Sequence, residues 1–303
     1  MPLIDATNPP VHVIDRGTGE AVVFLHAFPL QAAQWDYQIE ALESRFRCVA
    51  IDLPGFGRSL EPDDPASASM AGYADLVSAV LDELGIESAT FVGASMGGYV
   101  VMALLRRHPE KVAQVVLAGT RTRSDDAATA ARRSDQQEQL RSGAEVCTLA
   151  KGVVEGLMSS GSMSRPELVE YVHALADSAT PEGWIAALEA MKRRDDSMLV
   201  LRNAGKVGMR ALVIVGELDR VTPLTDAMTL RSSLKAELAT ISGAGHLPNI
   251  EDPAAFDAAL LGFLGVSPEE LAAEANAAAQ ADADTAAVPE EGVADAPAGA
   301  PAE

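Results

Sequence analysis

Gly93-Ala94-Ser95-Met96-Gly97 stands between a short apolar run, Ser88-Ala-Thr-Phe-Val-Gly93, and a segment of helical spacing, Gly98-Tyr-Val-Val-Met-Ala-Leu-Leu-Arg-Arg-His108. The first run is partly β-branched and of strand length; the second repeats its apolar residues as a helix does. Strand, elbow and helix therefore follow one another without a spare residue. Small residues two before and two after Ser95 suit a tight turn, because larger ones would collide with the backbone that crosses there. A serine lifted on such an elbow is exposed to a reacting partner. The pentapeptide alone is short enough to arise by chance, so its neighbours in the chain have to carry the reading.

Two later segments supply them. Met209-Arg-Ala-Leu-Val-Ile-Val-Gly216 reads as a buried strand running into Glu217-Leu-Asp219-Arg-Val-Thr-Pro223, which puts Asp219 just past a strand end. Ala239-Thr-Ile-Ser242 reads as a last strand before Gly243-Ala-Gly-His246-Leu-Pro-Asn249, a histidine on a glycine-flexed loop ahead of the final helix at Asp252-Pro253. A serine hydroxyl is a poor nucleophile near neutral pH. It needs an imidazole as general base, and the imidazole needs a carboxylate to fix its tautomer and stabilise its cation. Ser95, His246 and Asp219 offer these three parts in the order Ser, Asp, His. Glu217 is the rival acid two residues earlier.

On these segments the chain resembles the α/β-hydrolases, and within them the small bacterial carboxylesterases, arylesterases and 3-oxoadipate enol-lactonase-like enzymes. The resemblance spans roughly residues 10 to 265. Ala21-Val-Val-Phe-Leu-His26-Ala-Phe-Pro29 is similar to that family's strand and His-Gly-x-Pro loop, with Ala27 where the family has Gly; Asp52-Leu-Pro-Gly-Phe-Gly57-Arg-Ser59 is similar to its Asp-x-Pro-Gly-x-Gly-x-Ser turn. The resemblance implies Ser95, Asp219 and His246 as catalytic residues and the backbone N–H groups of Phe28 and Met96 as an oxyanion hole. It places the acid at Asp219 rather than Glu217. It implies structural roles for His26, Asp52, Arg58 and Ser59, hydrolysis of carboxylic esters through an acyl-enzyme, and no metal or organic cofactor. Ser at the elbow, rather than Asp, sets the chain apart from haloalkane dehalogenases and epoxide hydrolases. Pro29 resembles relatives that form peracids, so perhydrolysis is a side activity to test. Enol-lactonase and carbon-carbon bond hydrolase activities with the same triad are the alternatives, as is a ligand receptor on the same fold.

Alternation of strand and helix predicts a mostly parallel sheet flanked by helices, with strands near 11–15, 21–25, 46–51, 89–93, 112–118, 211–215 and 236–241. From Arg121 to about Gly205 no strand is evident. Thr180-Pro-Glu-Gly-Trp-Ile-Ala-Ala-Leu-Glu-Ala-Met191 is the clearest helix there, with Thr180 as N-cap and Pro181 at the first position. The expected organisation is a hydrolase core over 1–120 and 206–265, a helical cap over 121–205 and a tail over 266–303. Phe28, Leu30, Met96, Val221 and Leu247 adjoin motif residues and are candidate pocket walls, and the cap adds Leu157, Met158, Met163 and Trp184. No arginine is placed by the motifs to hold a substrate carboxylate. The expected substrate is a neutral ester with a short acyl chain or an aryl leaving group.

Composition narrows the partners. The 303 residues are 48% hydrophobic and carry a formal charge of −21. From Ser267 to Glu303 there are nine acidic side chains, fifteen alanines and no Lys or Arg, and the other 266 residues still balance to −12. A nucleic-acid binder needs a basic stripe and an anionic membrane surface a polybasic patch; neither is present. The expected partner is a small molecule. The tail is too poor in large apolar residues to build a core, and disorder is expected beyond a helical stretch over Pro268 to Gln280. Two distant cysteines, Cys48 and Cys147, make no disulfide framework and no metal site. The first ten residues lack the basic start and apolar stretch of a signal peptide, and no window approaches 18 uncharged apolar residues. A cytoplasmic protein is the expectation.

Overall fold

The computed structural model describes residues 3–267 and residue 270. One eight-stranded sheet organises the chain. Its strands are β1 (Leu3–Ile4), β2 (Val11–Arg16), β3 (Ala21–Leu25), β4 (Arg47–Ile51), β5 (Ala89–Ala94), β6 (Val112–Ala118), β7 (Ala211–Gly216) and β8 (Glu237–Ile241), in the order β1-β2-β4-β3-β5-β6-β7-β8. Only β1 and β2 pair antiparallel to their neighbours; from β4 across to β8 every pairing is parallel. Every residue of β5 and β7 is buried. A parallel sheet covered on both faces asks for such unbroken Val, Ile, Leu and Ala runs, and these are the segments where the sequence has them. The seven longer strands fall within a residue or so of their expected positions. β1, two residues long, has no sequence signal.

The flanking helices are α1 (Asp36–Leu42), α2 (Met70–Glu83), α3 (Met96–Arg107), α10 (Leu224–Leu234), α11 (Pro248–Glu251) and α12 (Pro253–Leu264). Helix α2 is capped by Ser69, whose hydroxyl accepts from Gly72 N, and it buries Tyr73, Leu76, Val77, Val80 and Leu81 on one side. Helix α3 begins at Met96, directly after the serine. Phe24 packs on Trp35 with ring centres 5.2 Å apart, and Trp35 on Phe256 at 6.0 Å; each such buried aromatic is worth about 1.5–3 kcal/mol relative to exposure. Cys48 is buried in β4 and burial pushes its thiol up to about 12, so it acts as a small hydrophobe, while Cys147 is exposed.

Six helices fill the stretch between β6 and β7: α4 (Ala127–Arg141), α5 (Val146–Leu157), α6 (Ser160–Met163), α7 (Pro166–Ala176), α8 (Pro181–Lys192) and α9 (Met198–Lys206). Thr180 caps α8 by accepting from Gly183 N, with Pro181 behind it. This stretch is tied to the strand ends by backbone bonds: Thr180 N donates to Gly55 O at 2.8 Å, and His246 N to Leu157 O at 2.7 Å. Residues 1–260 form one unit. Residues 261–303 form another, of which the described part is the last turn of α12, residues 265–267 and residue 270. The expected tail over 266–303 therefore lies almost wholly outside the described residues. Among the described residues, no helix is long and apolar enough to cross a membrane.

Candidate active site

Ser95 follows the end of β5 and holds φ 49° and ψ −108°, a conformation that L side chains rarely adopt. Strain of this kind persists only where the surroundings impose it. Here they do: a Cβ on Gly93 would lie 2.7 Å from the backbone of Gly97, and one on Gly97 would lie 2.1 Å from Leu25 O. The elbow is further held by Ser95 N donating to Ala118 O at 2.9 Å and by Thr120 Oγ1 donating to Ser95 O at 2.8 Å.

Ser95, His246 and Asp219 meet although they are far apart in sequence. Ser95 Oγ lies 2.9 Å from His246 Nε2, and His246 Nδ1 lies 2.8 Å from Asp219 Oδ2. Because Asp219 accepts at Nδ1, that nitrogen carries the proton and Nε2 is free to accept from the serine. Asp219 is buried with its oxygens filled: Val221 N and Thr222 N donate to Oδ1, and Thr222 Oγ1 to Oδ2 at 2.7 Å. Burial pushes its carboxyl up, but the charge of His246 and these hydrogen bonds outweigh it and hold the group below the usual carboxylate range. Glu217 is exposed and faces away, bonded to Ser242 Oγ and Gly243 N.

The loop after β3 carries Phe28. Gly97 N donates to His26 O at 3.1 Å, which fixes this loop against the start of α3. His26 is fully buried; its Nε2 accepts from Leu53 N at 3.0 Å, so its Nδ1 donates to Ala27 O. Burial lowers its pKa and keeps it neutral. Ala27 N donates to Gln34 Oε1 at 2.8 Å, and Gln34 is bonded in turn to Asn249, three residues past His246. Neither Phe28 N nor Met96 N has a hydrogen-bond partner among the described residues. Asp52 is a hub behind the loop: it accepts from Ala32 N at 2.6 Å, from Arg58 N and from His12, and its own carbonyl accepts from Ser59 Oγ. Of the remaining histidines, His108 ends α3 and pairs with Asp75, and His173 lies in α7.

A cavity of about 450 Å³ opens on Ser95 and His246. Phe28, Leu157 and Val221 line it, as expected. Leu30, Met158, Met163, Trp184 and Leu247 are not in its lining. Leu30 and Leu247 are fully buried, and Trp184 packs edge-on against the Phe28 ring with centres 4.7 Å apart. The wall that sequence reasoning missed is basic. Arg121, Arg132 and Arg133 face the cavity together with Tyr99, which corrects the expectation that no arginine is placed to meet a substrate carboxylate. Arg121 follows the end of β6 and reaches sideways to Val221 O at 3.2 Å. Arg132, Arg133 and Gln136 share one face of α4 at helical spacing. Also missed was Glu251, a buried carboxylate that accepts from Gly245 N, Leu247 N and Ser159 N at 2.9 to 3.1 Å, bracketing the His246 loop on both sides.

Known proteins resemble this chain over most of its length. The 3-oxoadipate enol-lactonase 2 of Acinetobacter baylyi is 29% identical over 242 residues, covering 79% of this chain and 86% of that one. The pimeloyl-[acyl-carrier protein] methyl ester esterase of Vibrio vulnificus is 27% identical over 263 residues, covering 84% and 98%. Among solved structures, a thermophilic esterase from Thermogutta terrifontis with malate bound is 30% identical and covers 84% of this chain and 93% of its own, with a TM-score of 0.79. The family described as alpha/beta hydrolase fold matches residues 20–253, and the chain belongs to it.

Proposed function

We propose that the protein is a serine-dependent hydrolase of carboxylic esters that works through an acyl-enzyme. The observation that carries this reading is the unbroken hydrogen-bonded line from Ser95 Oγ through His246 to Asp219, starting at a strained elbow that opens on a cavity. His246 takes the serine proton as Oγ attacks the ester carbonyl, and Asp219 stabilises the imidazolium. The N–H groups of Phe28 and Met96 receive the oxyanion. Two such fixed donors are worth about 2.7 to 4 kcal/mol each to the transition state. The protonated His246 then gives its proton to the leaving alcohol, and water repeats the sequence on the acyl-enzyme to release the acid.

The stretch 121–205 serves as a cap in this reading, since α4, α5 and α8 supply most of the cavity wall. Core segments 1–120 and 206–265 carry the chemistry. A lactone is an internal ester, so the same groups open it, and the relatives include enol-lactonases. The free thiols of Cys48 and Cys147 suit a reducing compartment, and we place the activity in the cytoplasm. A panel of p-nitrophenyl esters of rising acyl length tests the proposal. Turnover that peaks at short chains and vanishes in Ser95→Ala is expected. No turnover of any ester would return the chain to the receptor reading, and faster turnover of ring-cleavage diketones to a carbon-carbon hydrolase.

A further inference from the structure

We propose that the substrate carries a free carboxylate in addition to its ester or lactone group, and that Arg121 binds it, assisted by Arg132. This rests on the reading of Ser95 as an ester-hydrolysing nucleophile and adds a substrate class to it.

The charge of the cavity is the first observation. Three guanidinium groups face a space of about 450 Å³ that also holds Ser95 and His246, and no Asp or Glu of the described residues lines it. The chain as a whole carries −21. A basic pocket in so acidic a protein focuses the field of one sign where the substrate reacts.

Not all three cations are free. Arg133 Nε lies 2.6 Å from Asp125 Oδ2, and Arg194 takes Oδ1 of the same carboxylate at 2.7 Å. Arg132 is exposed and reaches only the hydroxyl of Thr129 at 3.1 Å. Arg121 is half-buried, gives a hydrogen bond to Val221 O, stands against the Tyr99 hydroxyl, and has a buried Nε without a hydrogen-bond partner. No carboxylate of the described residues lies at ion-pair distance from it; Asp226 and Asp125 act on it from farther off, Asp226 Oδ1 taking Arg123 at 2.8 Å while its buried Oδ2 has no hydrogen-bond partner. Nearby acidic groups keep the guanidinium charged, but all carboxylates of the described residues stand beyond ion-pair distance, so a ligand that brings its own can take the donors they leave open. The planar fork of donors fits a carboxylate with two parallel bonds.

Position ties the cation to the reacting groups. Arg121 follows Thr120, which bonds Ser95 O, and its other end rests on the carbonyl two residues beyond Asp219. Tyr99, one helical turn after Ser95, lines the same wall. Arg121 and Ser95 therefore line one cavity. Half-esters of short dicarboxylic acids and small lactones bearing a carboxylate present both groups to such a cavity.

The test compares kcat/KM for matched pairs. Mono-p-nitrophenyl glutarate against p-nitrophenyl butyrate puts the carboxylate on the acyl side; 4-acetoxybenzoate against its methyl ester puts it on the leaving group. The wild type is expected to favour the anionic member of at least one pair by tenfold or more at low ionic strength, with the preference shrinking in 0.5 M NaCl. Arg121→Gln should cut that ratio at least tenfold, Arg121→Lys less, and the exposed Arg132→Gln by two- to fivefold. Glutarate binding to Ser95→Ala, measured by calorimetry, should disappear on adding Arg121→Gln, which reads the anion site without catalysis. A ratio near one in both pairs, or a ratio unmoved by Arg121→Gln while both rates fall together, would overturn the inference and leave the esterase reading standing. Failure of every ester with retained glutarate binding would overturn the esterase reading instead.

Discussion

Around Ser95, His246 and Asp219 the supporting groups are tied down: the Asp219 oxygens accept from three donors besides His246, His26 is held at both nitrogens, and the Phe28 loop is braced through Gln34 to Asn249. Where Arg121 and residues 127–192 wall the cavity, the lining is the Arg121 guanidinium, one polar face of α4 bearing Arg132 and Arg133, and Gly152 and Gly156 one turn apart on α5 with nothing within 4 Å of an added Cβ. The first half is preorganised for one reaction. The second leaves room and charge, which is what selects among substrates. Changes to the first half should therefore lower all rates together, and changes to the second should alter ratios between substrates.

The largest effect expected is at the serine and its relay. Ser95→Ala should lower kcat by at least about 10³-fold, and Asp219→Asn by about 10⁴-fold with folding retained, because the wrong histidine tautomer is then favoured. Glu217→Gln, at the exposed rival carboxylate, should stay within about twofold of the wild type in the same assay. Should Glu217→Gln prove the inactive variant, the assignment of the acid is wrong.

Next in size is Glu251→Gln. The amide cannot accept on both oxygens, so at least one of the three N–H groups on Gly245, Leu247 and Ser159 loses its partner in a buried site. A loss of about 1–3 kcal/mol in urea unfolding is expected, together with a fall in kcat toward neutral and anionic esters alike. A change in the ratio of the two would place Glu251 with the selecting half instead.

The smallest effect concerns pH. Burial pushes the carboxyl of Asp257, on α12, up to about 6 from its ordinary 3.8, against a hydrogen bond from Gln38 at 2.8 Å. The folded state then holds that proton more tightly than the unfolded chain. Stability is favoured at low pH, falls as pH rises toward 6, and the cost is complete above it. Asp257→Asn should therefore gain about 1–2 kcal/mol at pH 8 and little at pH 4, read from urea midpoints at the two pH values. Equal gains at both would show that packing, not ionisation, is responsible.

What the sequence made legible follows the same division. Strands β3, β5 and β7 and the second half of β6 are buried, so their apolar runs announce them, and the proposed catalytic side chains Ser95, Asp219 and His246 stand at or just beyond strand ends where short motifs mark them. β1 is too short to carry a pattern. Pocket walls guessed from adjacency to a motif fared unevenly, because a neighbour in sequence points the other way across a turn: Leu30 and Leu247 turn into the core, while Val221 faces the cavity. Arg121 was hidden for a different reason. Its Cα stands three residues past the end of β6, but its guanidinium reaches across to Val221 beyond Asp219, and the pairing of β6 beside β7 brings those together. Helix α4 is polar on nearly all sides, burying only Gln137 and Leu140, since part of its inner face looks into a cavity rather than a core.

The most direct test of the central claim is covalent trapping. Intact-protein and peptide mass spectrometry after treatment with a fluorophosphonate should find one adduct per chain, on the peptide containing Ser95, absent from Ser95→Ala and strongly slowed in Asp219→Asn. An unlabelled wild type, or an adduct of equal yield in Ser95→Ala, would contradict the account.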